Sequence, residues 1–199
     1  MYIEKWIRKE FIRLRELEDN EDSQRRMRQL RDIIEKSNAC HDAIFHYEDA
    51  LRLQNMKNRG ILLEKSKYSA DILKNNWINS FIPDLTESTK KKIFFDQYLW
   101  HALSYKEREA LDKSKARQAF NRKNKKQVYI FYQHNDNAYY IDNAQNLKSS
   151  DFDKEQDIYI MDANLQWTYI HTHEIQCGPY FVQNKSDKEM NPLKGLVQY

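Results

Sequence analysis

The sequence has few residues that break or cross-link a chain: three glycines, three prolines and two cysteines among 199 residues. So little Gly and Pro excludes long flexible linkers. Cys40 and Cys177 lie in different regions, which predicts two unpaired thiols in a cytosolic protein rather than a disulfide. No stretch approaches the roughly 20 apolar residues that span a bilayer, and the first residues lack a signal-peptide pattern. We therefore expect a cytoplasmic protein without membrane association.

Charge is unevenly distributed along the chain. The net charge of +3 is the sum of +1 for residues 1–60, +7 for residues 61–126 and −5 for residues 127–199. Such a layout favours oriented docking against a charged partner. The sequence pI of about 8.6 is below the value of roughly 9 that is typical of dedicated nucleic-acid-binding domains.

Residues 1–60 have apolar residues at helical spacing and predict a helical hairpin. One helix is expected over residues 2–18, and a second helical stretch runs from about Glu21 to Asn58, either continuous or broken near Asn38. Gly60 suits a helix end. Two helices bury little surface alone, so the hairpin is expected to pack on the rest of the chain or to form a homodimer.

Residues 61–183 predict an α+β domain, followed by a polar tail over residues 184–199. The expected sheet is mostly antiparallel with four or five strands, and helices over residues 68–81 and 106–121 cover one face. Four strands follow aromatic and β-branched runs: Val128–Gln133 with Ala138–Asp142, and Asp157–Met161 with Trp167–Thr172. Gly178–Val182 would add an edge strand as the fifth, and Ile61–Leu63 could form a further short strand outside this count.

Five residues that could carry chemistry lie in or beside the aromatic blocks: His101, His134, His171, His173 and Cys177. His171 and His173 would share a strand face and, with Cys177, could bind zinc, although no strong metal-binding spacing is present. His101, His134, His173 and Glu174 are the candidate catalytic residues of a small metal-dependent hydrolase or nuclease-like enzyme. No phosphate-binding glycine loop or nucleophile elbow is present, and no cofactor is expected.

Two basic clusters could bind nucleic acid, because aromatic residues that can stack on bases lie near the first of them. The clusters are formed by Lys90, Lys91 and Lys92, and by Arg122, Lys123, Lys125 and Lys126.

The runs Asp96–Tyr105, Tyr129–His134, Trp167–Glu174 and Gly178–Phe181 resemble a bacterial family known as domain of unknown function 4275, over roughly Ile61 to Val182. The resemblance implies an intracellular bacterial protein with a single α+β domain. It brings no established activity, cofactor or catalytic residue. Within it we single out Asp96, Tyr98, Trp100, His101, Gln133, His134, Thr172, His173 and Glu174.

The interpretation that we favour from sequence is a non-enzymatic protein-binding module of the immunity, antitoxin or regulatory type. Its acidic sheet would meet a basic partner through Asp136, Asp142, Asp151, Asp153, Asp157 and Asp162. Asp96, Tyr98, Trp100 and Gln133 are further candidate binding residues. The metal-dependent enzyme and the nucleic-acid-binding protein are the alternatives.

Overall fold

The computed structural model describes residues 2–16 and 21–184, so the expected polar tail lies, apart from Asn184, outside the described residues. The chain divides into two compact units, residues 1–54 and residues 55–199. Helix α1 (Tyr2–Arg15) and helix α2 (Glu21–Asn58) follow each other, and α2 is continuous through Asn38. None of the described helices has both the length and the apolar character needed to cross a membrane.

The first unit buries only part of its apolar surface. Ile7 and Leu14 of α1 and Leu30 of α2 are buried. By contrast, every residue of α2 from position 35 to position 48 is exposed. The free Cys40 lies within this exposed stretch, and Cys177 is also free, as predicted.

The second unit contains a seven-stranded antiparallel sheet, which confirms the α+β class. Its order is β1-β4-β3-β5-β6-β7-β2. The strands are β1 (Glu64–Lys65), β2 (Leu111–Asp112), β3 (Val128–Tyr132), β4 (Ala138–Ile141), β5 (Ile158–Asp162), β6 (Trp167–His171) and β7 (Tyr180–Gln183). The strand count exceeds the prediction because β1 and β2, at the two edges, are too short to show an alternating pattern.

Three sequence-based boundaries were wrong. The first strand lies at Glu64–Lys65 rather than Ile61–Leu63, because the Ile61 amide donates to the Met56 carbonyl at the end of α2 instead of joining the sheet. The last strand begins at Tyr180 and is not an edge strand, because β2 pairs outside it. The expected helix from position 106 begins only at Lys113.

Helices cover both faces of the sheet, contrary to the prediction that they cover one. Alternate residues of β3 point to opposite faces. Phe131 packs in one core cluster with Trp77 of helix α3 (Ala70–Phe81). Ile130 packs in the other with Phe120 of the helix at Lys113–Arg122. The central strands are therefore apolar on both sides, and their sequences cannot show which helix lies on which face.

Short helices complete this unit. Helix α4 (Glu87–Lys92) and helix α5 (His101–Ser104) precede β2, and α6 is the helix at Lys113–Arg122. A 3₁₀ turn, Ser149–Phe152, lies between β4 and β5. Thr86 caps α4, where its hydroxyl accepts a hydrogen bond from the Thr89 amide at 3.2 Å. The chain from α4 to α5 carries Tyr98, Trp100 and His101 to one end of the sheet.

Candidate functional site

The candidate site lies where three central strands meet at one end of the sheet. Strand β5 pairs with both β3 and β6, and Ile158 at its start lies opposite Tyr132 and His171 at their ends. Because the three strands pair in antiparallel fashion, the residues just before β5 and just after β3 and β6 lie close together. They are Asp157 before β5, Gln133 after β3 and His173 after β6.

Asp157 is the centre of the site, although it is only 5% exposed. Its Oδ1 accepts hydrogen bonds from Trp100 Nε1 at 2.9 Å and from the His173 amide at 3.2 Å. Its Oδ2 lies 2.8 Å from His173 Nδ1. Because a carboxylate oxygen only accepts hydrogen bonds, His173 Nδ1 is the donor of this bond, and in the neutral tautomer that fits it Nε2 has the lone pair.

A second network fixes the Leu99–Trp100 segment against the sheet. The Tyr159 hydroxyl accepts a hydrogen bond from the Trp100 amide at 3.1 Å and donates one to Gln133 Oε1 at 2.8 Å. Gln133 Oε1 also accepts from the Leu99 amide at 3.2 Å. Burial raises the pKa of the Tyr159 phenol well above its usual value, so this side chain remains a neutral donor.

The three candidate catalytic histidines come together around Tyr98. Its ring centroid lies 5.3 Å from that of His101, 5.0 Å from that of His134 and 4.9 Å from that of His173. His101 Nδ1 lies 2.7 Å from the carbonyl oxygen of Ile93 and therefore donates to it. His101 and His173 thus both keep their protons on Nδ1. The structure unites residues that are more than seventy positions apart in sequence.

A cleft of about 370 Å³ adjoins His173 and is also lined by His171, Glu174 and Arg117. Glu174 Oε1 lies 3.8 Å from His173 Nε2. His171 Nδ1 donates to the Glu155 carbonyl at 2.9 Å, and burial lowers the pKa of His171 despite this bond. His171 is therefore neutral at pH 7, when its imidazole can accept a proton or a hydrogen bond.

The metal-site candidates are not gathered around one point. Within residues 2–16 and 21–184, no group of three or more His, Cys, Asp or Glu is placed to hold a metal ion. His171 and His173 line the same cleft, but their Nδ1 atoms bond to different partners and Cys177 is outside its lining. Burial, with neighbouring Glu174, raises the pKa of the Cys177 thiol. A protonated thiol is a poor ligand and a poor nucleophile.

One nucleic-acid candidate was wrong. Lys125 is fully buried, and its Nζ donates to the carbonyls of Phe120 at 2.9 Å and Lys123 at 3.0 Å. Its ammonium group satisfies carbonyl oxygens at the C-terminal end of α6, so it cannot reach a phosphate. The other six lysines and arginines of the two clusters are exposed or half-buried. Nucleic-acid binding through them stays a prediction.

The expected acidic surface also needs correction. Of its six carboxylates, Asp151, Asp157 and Asp162 are buried. Asp151 forms an ion pair with Arg59 at 2.5 Å, and Asp162 accepts a hydrogen bond from the Asn164 amide at 3.1 Å. These carboxylates form their ion pairs and hydrogen bonds inside the protein and are not available to a docking partner.

The other proposed docking carboxylates differ in their partners. Asp142 is exposed and accepts hydrogen bonds from Gln127 and Tyr140. Asp153 pairs with Arg117 at 2.5 Å. Asp136 and the candidate binding residue Asp96 are exposed. A continuous acidic docking face made of all six predicted residues is therefore not present.

Fold and site together define an α+β domain in which the buried Asp157 is hydrogen-bonded to the exposed His173 at one end of an antiparallel sheet. A family model described as "Domain of unknown function (DUF4275)" matches residues 46–181. The match covers more than half of the chain, which belongs to this family. It begins within α2, before the start at Ile61 that was expected from sequence. No curated protein and no solved structure matches the chain.

Sequence reasoning missed two residues of the site. Asp157 was assigned to the acidic docking surface, and Tyr159 was given no role. Their position at the start of a buried strand is a signal that could have been used, because polar groups there must find partners inside the protein. Which partners they find depends on the Leu99–Trp100 segment, which comes from elsewhere in the chain.

Proposed function

We propose that the DUF4275 domain is an acid–base enzyme of the hydrolase class, in which His173 removes a proton from water. The observation that carries the proposal is the hydrogen bond between the buried Asp157 carboxylate and His173 Nδ1. This bond leaves Nε2 as the basic atom of a side chain that lines a cleft. A base held in this way needs little reorganisation when the proton is transferred.

Asp157 would serve His173 in two ways. It selects the tautomer with the proton on Nδ1, and its negative charge stabilises the imidazolium that forms when Nε2 takes a proton. The bonds from Trp100 Nε1 and from the His173 amide hold the carboxylate in place. Glu174, 3.8 Å from Nε2, is close enough to orient a water molecule or the protonated ring.

Water is the proposed nucleophile because the described part of the chain offers His173 no side-chain nucleophile. No Ser, Thr or Cys there donates a hydrogen bond to His173, and the Thr172 hydroxyl bonds to the carbonyls of Glu174 and Cys177. The cleft wall carries both signs of charge, since Arg117 is paired with Asp153. Because the cleft has no predominant charge, the proposal names a class of reaction and does not name the charge of the substrate.

The test uses two generic substrates, p-nitrophenyl acetate and bis(p-nitrophenyl) phosphate, with the full chain. His173→Gln should lower turnover by about 100-fold or more, which is the usual contribution of a general base. His41→Gln, at an exposed histidine of α2, is the matched control and should not change the rate. Asp157→Asn should also slow turnover and should be accompanied by a stability measurement, because this carboxylate anchors Trp100.

The proposal fails if neither substrate is hydrolysed faster than in buffer, or if His173→Gln retains the wild-type rate.

A second function, protein binding, is supported by a different observation. Every α2 residue from 35 to 48 is exposed, including Ile44, Phe45 and Tyr47. A helix with no packed face is marginally stable in water. We propose that this stretch binds a second copy of the chain, with any immunity, antitoxin or regulatory role in a bacterial cytoplasm resting on α2 rather than on the acidic residues.

Ile33, Ile44, Tyr47 and Leu51 are exposed and stand at spacings that place them on one side of the helix. Ile44→Asp with Tyr47→Asp should halve the mass measured by light scattering. Asn38→Asp, an exposed change away from this stripe, is the control. A wild-type protein that is monomeric at high concentration would contradict the dimer.

A further inference from the structure

A cavity beside strand β7 is separate from the His173 cleft. Its volume is about 780 Å³, within the range of roughly 300–1,000 Å³ that is usual for small-molecule sites. It lies between the loop that leads into β2, the C-terminal half of α6, and β7. No residue of the candidate catalytic site lines it.

The cavity exists because edge strand β2 is so short. Leu111 and Asp112 pair only with Phe181 and Tyr180, so β7 is uncovered beyond them, and Gln183 lines the cavity. The chain before β2 loops away from the sheet instead of extending the strand, and Lys106 in this loop has a positive φ of 63°. A longer edge strand would fill this space.

The cavity has an apolar floor. Leu103, Tyr180 and Phe181 line it and are each less than one-tenth exposed. Tyr180 and Phe181 belong to opposite core clusters, so the cavity reaches around the edge of the sheet. Rigid aromatic and aliphatic side chains of this kind suit the apolar body of a ligand.

The walls are basic. Lys106, Arg108, Arg122 and Lys123 line the cavity together with two carboxylates, Glu109 and Asp112. Within residues 2–16 and 21–184, none of these four cations forms an ion pair, and Arg108 donates only to the Asn184 amide oxygen, at 3.1 Å. Arg122 and Lys123 also suit the negative end of the α6 dipole. Lys106 and Arg108 come from the loop that follows α5 and leads into β2.

We propose that this cavity is a binding site for a small amphipathic organic anion, an aromatic or acyl chain that ends in a carboxylate or sulfonate. The apolar body lies on Leu103, Tyr180 and Phe181, and the anionic group lies among the basic side chains, with Arg122 and Lys123 on one wall. Charge-assisted hydrogen bonds from arginine and lysine are the strongest that a surface cavity offers to an anion. The site is independent of the proposed hydrolase activity.

The test titrates the full chain with 1-anilinonaphthalene-8-sulfonate, an aromatic anion, by fluorescence and by calorimetry. Saturable binding of one probe per chain is expected, together with a higher Tm because the probe binds the folded state. Arg122→Glu with Lys123→Glu should weaken binding at least 10-fold. The matched control is Lys91→Glu with Lys92→Glu, the same charge change in the exposed cluster of the same unit, and should bind like wild type.

A variant that acts through volume separates the site from general surface charge. Ala119 lines the cavity and is half-buried on α6, so Ala119→Trp should fill the space and abolish binding without changing charge. Octanoate should displace the probe from wild type. The proposal is overturned if binding is not saturable, if both charge variants lose affinity equally, or if a folded Ala119→Trp variant binds as tightly as wild type.

Discussion

Helix α2 and strand β5 differ in how far their apolar side chains are buried. All five residues of β5 are buried, between helices on both faces of the sheet. In α2, the stretch from 35 to 48 is exposed throughout, although it carries Ile44, Phe45 and Tyr47. Apolar residues stabilise the second unit by being buried within the same chain, whereas those of the stretch from 35 to 48 can be buried only against another surface. The same residue types therefore serve folding in one unit and suit association in the other.

The sharpest test of this contrast compares two tryptophans. Trp77 is fully buried and its Nε1 donates to Thr168 Oγ1 at 3.0 Å. Trp77→Ala should cost about 3–5 kcal/mol of unfolding free energy, measured by urea denaturation. Trp6 in α1 is 57% exposed, and Trp6→Ala should cost no more than about 0.5 kcal/mol. Equal losses would mean that Trp6 is packed in solution and would break the contrast between the units.

A smaller effect is expected at two glycines with positive φ. Gly178 has a φ of 123°, and a Cβ there would lie 2.8 Å from Thr172 Oγ1, beside the His173 cleft. Gly178→Ala should destabilise by about 1–3 kcal/mol. Gly60 has a φ of 77° with no atom within 4 Å of such a Cβ, so Gly60→Ala should cost only about 1 kcal/mol. If thermal denaturation showed the reverse order, the close approach at Gly178 would not be rigid.

The smallest effect is a pH dependence within the second unit. Burial lowers the pKa of His171 in the folded state below its ordinary value of 6.5. The unfolded chain therefore binds the proton more readily, so this contribution to stability is complete above about pH 6.5 and is lost as the pH falls towards the folded-state pKa. His171→Asn, which can still donate to the Glu155 carbonyl, should show a smaller drop in Tm between pH 7.5 and pH 5. A drop as large as in wild type would show that other groups cause it.

The elements with a strong local signal were predicted correctly. The pairing of β3 with β4 follows from two aromatic runs joined by a polar loop, and β5 with β6 follows in the same way. Helix α3 was recognised by its apolar stripe. Edge strand β1 was misplaced and edge strand β2 was missed, because two residues carry no period. The faces covered by α3 and α6 were misassigned because the central strands are apolar on both sides.

The candidate site was only partly predictable. His101, His134 and His173 were identified by residue type and by their aromatic surroundings, but Asp157 looked like one of many surface carboxylates. Lys125 looked like part of a basic cluster. In both cases burial decides the role, and burial depends on segments that are distant in sequence. No local pattern reports which partner a polar side chain will meet.

Residue order alone determined the α+β class, the family, the helical propensity of residues 21–58 and the residue types available for chemistry, because these depend on neighbours within a few positions. The tertiary structure decided the rest. It placed Asp157 against His173, folded Lys125 under α6, left the stretch of α2 unpacked and opened a cavity beside a short edge strand. These outcomes follow from which distant surfaces exclude water together, and desolvation is a property of the assembled fold.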